Sequence, residues 1–117
     1  MKVALCQINP TVGAISVNVR KIIDAYKKAL DNNCDIIVFP ELAITGYPPQ
    51  DLLLNTKFIE ANSLALNKIV KQVTASAIIG YVREHKGNLY NTAALACNGK
   101  IVHEFDKILL QTYDVFD

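Results

Sequence analysis

An α/β architecture is the reading that three features of the 117-residue chain support. The chain opens strand, helix, strand, and that second strand is apolar on both faces. A second amphipathic helix follows, and the remainder alternates as strands around an Asn98-Gly99 turn. A strand apolar on both faces belongs inside a sheet, and a strand–helix–strand unit closes as a parallel pair with a right-handed crossover. An Asn-Gly pair between alternating strands favours a two-residue hairpin, so the sheet should continue antiparallel. The expected product is a mixed sheet with two helices on one face. A chain of this length makes one domain, residues 1–117, and can bury about two-thirds of its unfolded surface without disulfides or structural metal.

Each element has its own signal. Lys2 to Ile8 is an apolar run ended by Asn9-Pro10, which stops ladder bonding. Val19, Ile22, Ile23, Tyr26, Ala29 and Leu30 recur at helical spacing and predict a helix from Val17 to Asn32. Ile36 to Phe39 is the continuous apolar strand, stopped by Pro40. Leu66, Ile69, Val70 and Val73 mark the stripe of a second helix, Phe58 to Val73. Ala77 to Val82 predicts a strand and Arg83 to Asn88 a polar loop. Leu89 to Cys97 and Lys100 to Phe105 are the hairpin arms. In the usual two-residue register His103 faces Ala94. Ile108 to Asp117 reads as a loop at an active site.

Composition excludes several classes. Twelve Lys and Arg balance eleven Asp and Glu without a basic block, so nucleic acid is not an expected partner. The apolar runs fall short of the roughly 20 residues that span a bilayer, so no membrane is expected and the cytoplasm is the expected compartment. Cys6, Cys34 and Cys97 are odd in number and lack Cys-x-x-Cys spacing, so they should be reduced thiols, with no metal site. Cys6 and Cys97 lie on strands, where a buried apolar role is the default for cysteine. The five glycines form neither a phosphate cradle nor a dinucleotide fingerprint.

Two charged residues stand where chemistry is commonly done. Glu41 follows Pro40 at the carboxyl end of the apolar strand, the rim where open α/β sheets place ligand crevices, and if partly buried it suits a general base. Lys107 leaves the last hairpin strand after Glu104-Phe-Asp106, where a cation could stabilise an oxyanion. Singly each reads as an ordinary surface charge. As a pair they gain meaning only by converging on one sheet edge. Tyr47 and Tyr113 could line a pocket or bury a ring with a wet hydroxyl.

The run Phe39-Pro-Glu-Leu-Ala-Ile-Thr-Gly-Tyr-Pro-Pro-Gln-Asp-Leu-Leu53 resembles the first catalytic motif of the nitrilase (carbon-nitrogen hydrolase) superfamily. Its Tyr-Pro-Pro-x-Asp-Leu-Leu extension is similar in particular to the glutaminase domain of glutamine-dependent NAD synthetases. Val3 to Gly13 is similar to the family's opening strand and loop, and Asp106 to Asp117 to its lysine motif. The resemblance implies the N-terminal part of an α-β-β-α sandwich. It makes Glu41 the base that deprotonates a cysteine, Lys107 the stabiliser of the tetrahedral intermediate, and Tyr47 and Tyr113 tyrosines of a glutamine pocket.

The parent activity it implies is hydrolysis of the glutamine side-chain amide to supply ammonia for NAD synthesis, with glutamine as substrate. No cofactor is implied for this chain, since ATP and Mg belong to a synthetase domain absent from it. No cysteine here corresponds to the family nucleophile, so the isolated chain is expected to be inactive. Its unpaired sheet edges suggest a homo-oligomer or a complementing chain. Gln111 and Ala14 stand where the family usually has proline and often aspartate. A stand-alone amidase resembling ω-amidase, or a non-catalytic decayed paralogue, remains as the alternative.

Overall fold

The computed structural model describes residues 1–112. Strands β1 (Val3–Leu5), β2 (Ile36–Val38), β3 (Ser76–His85), β4 (Asn88–Cys97) and β5 (Lys100–Thr112) form one sheet in the order 1-2-3-4-5. β1, β2 and β3 run parallel, while β4 and β5 continue antiparallel. Helices α1 (Ile15–Asp31) and α2 (Thr56–Val70) are the two crossovers, and a short 3-10 turn, Gln50–Leu54, precedes α2. The mixed sheet with its two helices is the one that the sequence predicts.

In α1 the residues Val19, Ile22, Tyr26 and Ala29 are buried, a spacing of three and four that keeps one stripe toward the sheet. The Asn32 backbone N–H reaches the Ala29 carbonyl at 3.1 Å, and Asn33 takes a left-handed φ of 62° that ends the helix. In α2 the Asn55 side chain accepts the Phe58 N–H at 3.2 Å, a cap worth about 1 kcal/mol. That cap starts the helix two residues before the expected Phe58, and the helix ends at Val70, short of Val73. Both stripes meet Ile37, Ala77, Ile79, Ala94 and Ala96 in one continuous core.

The opposite face of the sheet has no such cover among the described residues. Val3 is 50%, Leu5 77% and Phe105 54% exposed there. No helix is long and apolar enough to cross a membrane among the described residues.

Three expectations are corrected. Arg83 to His85 continue β3 rather than forming a loop, and His85 pairs with Asn88 across a two-residue Lys86-Gly87 turn with φ of 50° and 76°. The polar residues misled because the Glu84 and His85 side chains are exposed, so this stretch is held by its ladder to Leu89 and Asn88 rather than by burial of its own side chains. Ile108 to Thr112 belong to β5 rather than to a loop, and residues 113–117 lie outside the described part. His103 pairs with Leu95 instead of Ala94, because a bulge between Leu95 and Ala96 shifts the register by one. The Asn98-Gly99 turn itself forms as expected, with φ of 52° and 77°.

Candidate active site

Glu41 begins a tight segment that leaves β2 after Pro40. Leu42, Ala43, Ile44 and Thr45 behind it have no exposed surface. A buried loop must find partners for its backbone, and this one does. The Gly46 N–H donates to the Leu42 carbonyl at 2.9 Å, the Ile44 N–H to the Gly80 carbonyl at 3.3 Å, and the Gly13 N–H to the Thr45 carbonyl at 2.9 Å. Asn18, fully buried on α1, donates through Nδ2 to the Ile44 carbonyl at 2.9 Å and to the Thr11 carbonyl at 2.8 Å. Its Oδ1 accepts the Thr11 N–H at 2.8 Å. The loop bearing Glu41 is thus locked to α1 and to β3.

Gly80 makes the approach to β3 possible. A Cβ at that position would lie 2.4 Å from the Leu42 nitrogen and 2.5 Å from the Pro40 oxygen. Only hydrogen fits there, so the glycine is selected by close approach of two backbones rather than by a left-handed φ.

Lys107 arrives from the other side. Thr92 pairs with Asp106 and Asn91 with Ile108, so Lys107 is the extra residue of a β-bulge in β5. Bulges next to sites commonly re-aim a side chain, and this one lies where Lys107 Nζ reaches Glu41 Oε2 at 3.3 Å. The neighbouring ladder is pinned on the helix-side face. The Thr92 hydroxyl donates to Asp106 at 2.6 Å, Arg83 donates to the same carboxylate at 2.9 Å, and Arg83 Nε lies 3.6 Å from Glu104. The Tyr81 hydroxyl donates to Glu104. Burial first, and then that hydrogen bond and the Glu104 charge, push the Tyr81 phenol well above its usual range, with Arg83 opposing.

Glu41, Lys107 and Asn91 share a cavity of about 180 Å³ lined also by Val38, Ile78 and Gly80. The larger cleft, about 580 Å³ between α1 and α2, is apolar apart from Ser16, Arg20, Asp24 and Lys68 and holds neither motif residue. The smaller cavity is the candidate site, because it is where the two charges converge. Asn91 donates through Nδ2 to Glu41 Oε1. Composition reasoning passed over Asn91, although an asparagine inside a strand is disfavoured and so is itself a signal.

The remaining expectations divide. The Glu41 side chain is 42% exposed and Lys107 47%: the loop behind Glu41 is buried, whereas its carboxylate stays partly open to solvent. An ion pair so exposed adds at most about 1 kcal/mol to stability. Tyr47 is 62% exposed and does not line the cavity, and Tyr113 lies outside the described residues. None of the three cysteines lines the cavity, and Cys34 is the buried one, whereas Cys6 and Cys97 are only half-buried. Burial, and secondarily Cys34, raise the Cys6 thiol, the opposite of what a nucleophile requires. Among the described residues no group of three His, Cys, Asp or Glu could hold a metal ion.

The sequence that carries this carboxylate and ammonium matches a family profile. The profile of carbon-nitrogen hydrolase covers residues 2–116. The chain belongs to this family. Similar carbon-nitrogen hydrolase relatives include a glutamine-dependent NAD(+) synthetase of Synechocystis, 41% identical over 98% of this chain and 22% of its own length. Another of the same name, from Thermotoga maritima, is 37% identical over 100% of the chain and 21% of its own length.

The chain therefore spans about a fifth of the length of the curated relatives it matches. Among solved structures, the glutamine-dependent NAD+ synthetase of Acinetobacter baumannii superposes with a TM-score of 0.86 at 34% identity, over 98% of this chain and 22% of that one. An amidase from Nesterenkonia superposes at 0.81 over 95% of this chain and 44% of that one, and at 23% identity it shares the fold alone.

Proposed function

We propose that this chain is the N-terminal portion of the glutaminase domain of a glutamine-dependent NAD synthetase, and that Glu41 and Lys107 are two of its catalytic groups. The observation that carries the reading is the 3.3 Å approach of Lys107 Nζ to Glu41 Oε2 across 66 positions of sequence, on the wall of one cavity. The names of the longer relatives supply the substrate, glutamine. An exposed Lys–Glu pair adds too little stability to explain such convergence, whereas acyl transfer needs both groups.

In this reading Glu41 takes the proton of a cysteine thiol contributed by the remainder of the longer protein. The sulfur attacks the side-chain carbonyl carbon of glutamine, and the Lys107 ammonium sits beside the oxygen that becomes negative. The C–N bond then breaks as Glu41 returns the proton to the leaving nitrogen, releasing ammonia. Water, deprotonated by Glu41, attacks the thioester to release glutamate and regenerate the thiol. Donors placed at a developing oxyanion are worth about 3 kcal/mol in acyl-transfer sites.

In this reading ATP and Mg serve a synthetase step carried by another part of the longer protein. Cytoplasmic residence is supported by three unbridged cysteines. Exposed edges at β1 and β5 support self-association or a complementing chain. Sedimentation of the purified 117-residue chain should show oligomers, and a stable monomer would contradict it.

The test is a chimera in which residues 1–117 replace the matching segment of the Synechocystis enzyme. It should make NAD with glutamine or with ammonium. Glu41→Gln and Lys107→Met should lose the glutamine-driven reaction and keep the ammonium-driven one. Glutamine-driven turnover surviving Glu41→Gln would refute the assignment. So would measurable glutaminase activity in the 117-residue chain alone.

A further inference from the structure

Asn91 lines the cavity from a position that works against stability. It is 1% exposed, inside β4, and its buried Oδ1 has no hydrogen-bond partner among the described residues. A buried acceptor left unpaired is costly, and native structures keep few of them outside functional sites. The other end of the same carboxamide explains why the cost is tolerated. Nδ2 donates to Glu41 Oε1 while Lys107 Nζ holds Oε2, so the carboxylate is gripped at both oxygens.

The orientation of the amide is fixed chemically, because an ionised carboxylate accepts and only the NH2 end of Asn91 can donate to it. Position 91 is also the residue opposite the bulge, facing both Lys107 and Ile108. One side chain therefore sits between the acid and the strand that presents the cation.

We propose that Asn91 is the positioning residue of this site: it orients the Glu41 carboxylate toward the incoming thiol, and the unpaired Oδ1 is the structural cost of that role. The inference rests on the reading of Glu41 as general base. Lys107 alone fixes the carboxylate weakly, since its long side chain is half-exposed, whereas Asn91 is buried within a strand. General bases contribute about a hundredfold to ten-thousandfold when well placed, so loss of orientation should remove roughly a tenth to all of the lower figure.

Two measurements separate positioning from packing. In the 117-residue chain, Asn91→Leu removes the orphan acceptor with a side chain of the same branching, and the cavity beside it takes the added bulk, so its melting temperature should be equal to or above that of the native chain. In the chimera, Asn91→Leu should lower glutamine-driven kcat about ten- to a hundredfold with KM for glutamine nearly unchanged, and leave ammonium-driven synthesis intact. Asn91→Asp, almost isosteric, should lose glutamine-driven kcat as well, because a second carboxylate repels Glu41. Wild-type kcat in both variants, with Glu41→Gln inactive, overturns the positioning role alone. A fall in kcat that merely follows a fall in melting temperature in both variants also overturns it. An active Glu41→Gln chimera instead removes the base assignment beneath it.

Discussion

Replacing Gly80 by alanine tests the claim that the loop bearing Glu41 lies directly on β3. The added Cβ would sit 2.4 Å from the Leu42 nitrogen, 2.5 Å from the Pro40 oxygen and 3.0 Å from the Glu41 carbonyl carbon, against an ordinary contact that begins at 3.4 Å. All three neighbours are backbone atoms, so no side chain can swing aside. The loop must retreat by about 1 Å, and it cannot do so freely, because the Asn18 and Gly80 hydrogen bonds hold Ile44 from both sides. Overpacking of this kind costs about 3 kcal/mol. In an unstrained site alanine would instead gain about 0.5 kcal/mol by restricting the unfolded chain, so the sign of the change decides the matter.

Urea titration of the 117-residue chain should show a lower midpoint at unchanged slope, and the melting temperature should fall by roughly 10 °C. Gly99→Ala is the control. Its Cβ meets nothing nearer than the Lys71 oxygen at 4.0 Å, so its only cost is the left-handed φ of 77°, about 1 kcal/mol. A Gly80→Ala chain as stable as the native one, or less perturbed than Gly99→Ala, would refute the packing of the loop against β3.

Two further outcomes follow from buried polar groups. Asn18→Ala removes three hydrogen bonds and leaves the Ile44 carbonyl unpaired, so it should cost about 3 kcal/mol in urea unfolding, and a loss under about 0.5 kcal/mol would contradict the locking role. Stability should also fall in alkali. Cys6 and Tyr81 hold their protons more tightly folded than unfolded, so above the unfolded values of 9.0 and 10.0 the folded chain binds the more protons. Their contribution is whole below about pH 9 and drains away as pH rises further. Tyr81→Phe should flatten the part above about pH 10, and an unchanged slope in that variant would count against the Tyr81–Glu104 pairing.

The parts of this molecule that were legible in the sequence are those where one physical rule dominates. The stripe Val19, Ile22, Tyr26, Ala29 announces α1 because only a helix can bury those four together. Asn98-Gly99 announces its turn because both residues tolerate a left-handed φ. Lys86-Gly87 makes the same kind of turn illegibly, since a lysine at φ of 50° carries no such signature and the surrounding polar residues look like loop. Bulges are less legible still. The insertion that shifts His103 onto Leu95 and the one that leaves Lys107 unpaired are settled by how β4 and β5 twist together, which local alternation does not encode.

The candidate site divides along the same line. Glu41 stands out because it follows a recognisable strand end, and Lys107 because it follows the end predicted for the last arm, although β5 runs on to Thr112; their meeting depends on two residues that no motif names. Gly80 looks like a weak point in a strand, yet it is the gap into which the Glu41 loop fits. Asn91 looks like a misplaced polar residue, yet it touches the carboxylate that the motif names. A glycine and an asparagine in strand interiors each lower stability where they stand. Two such losses, on neighbouring strands and facing one cavity, are better explained by a shared function than by separate accidents of packing. Tyr47 shows the converse: conspicuous in the sequence, it is 62% exposed and apart from the residues that line the cavity, so among the described residues its place carries no mark of the kind that Gly80 and Asn91 carry.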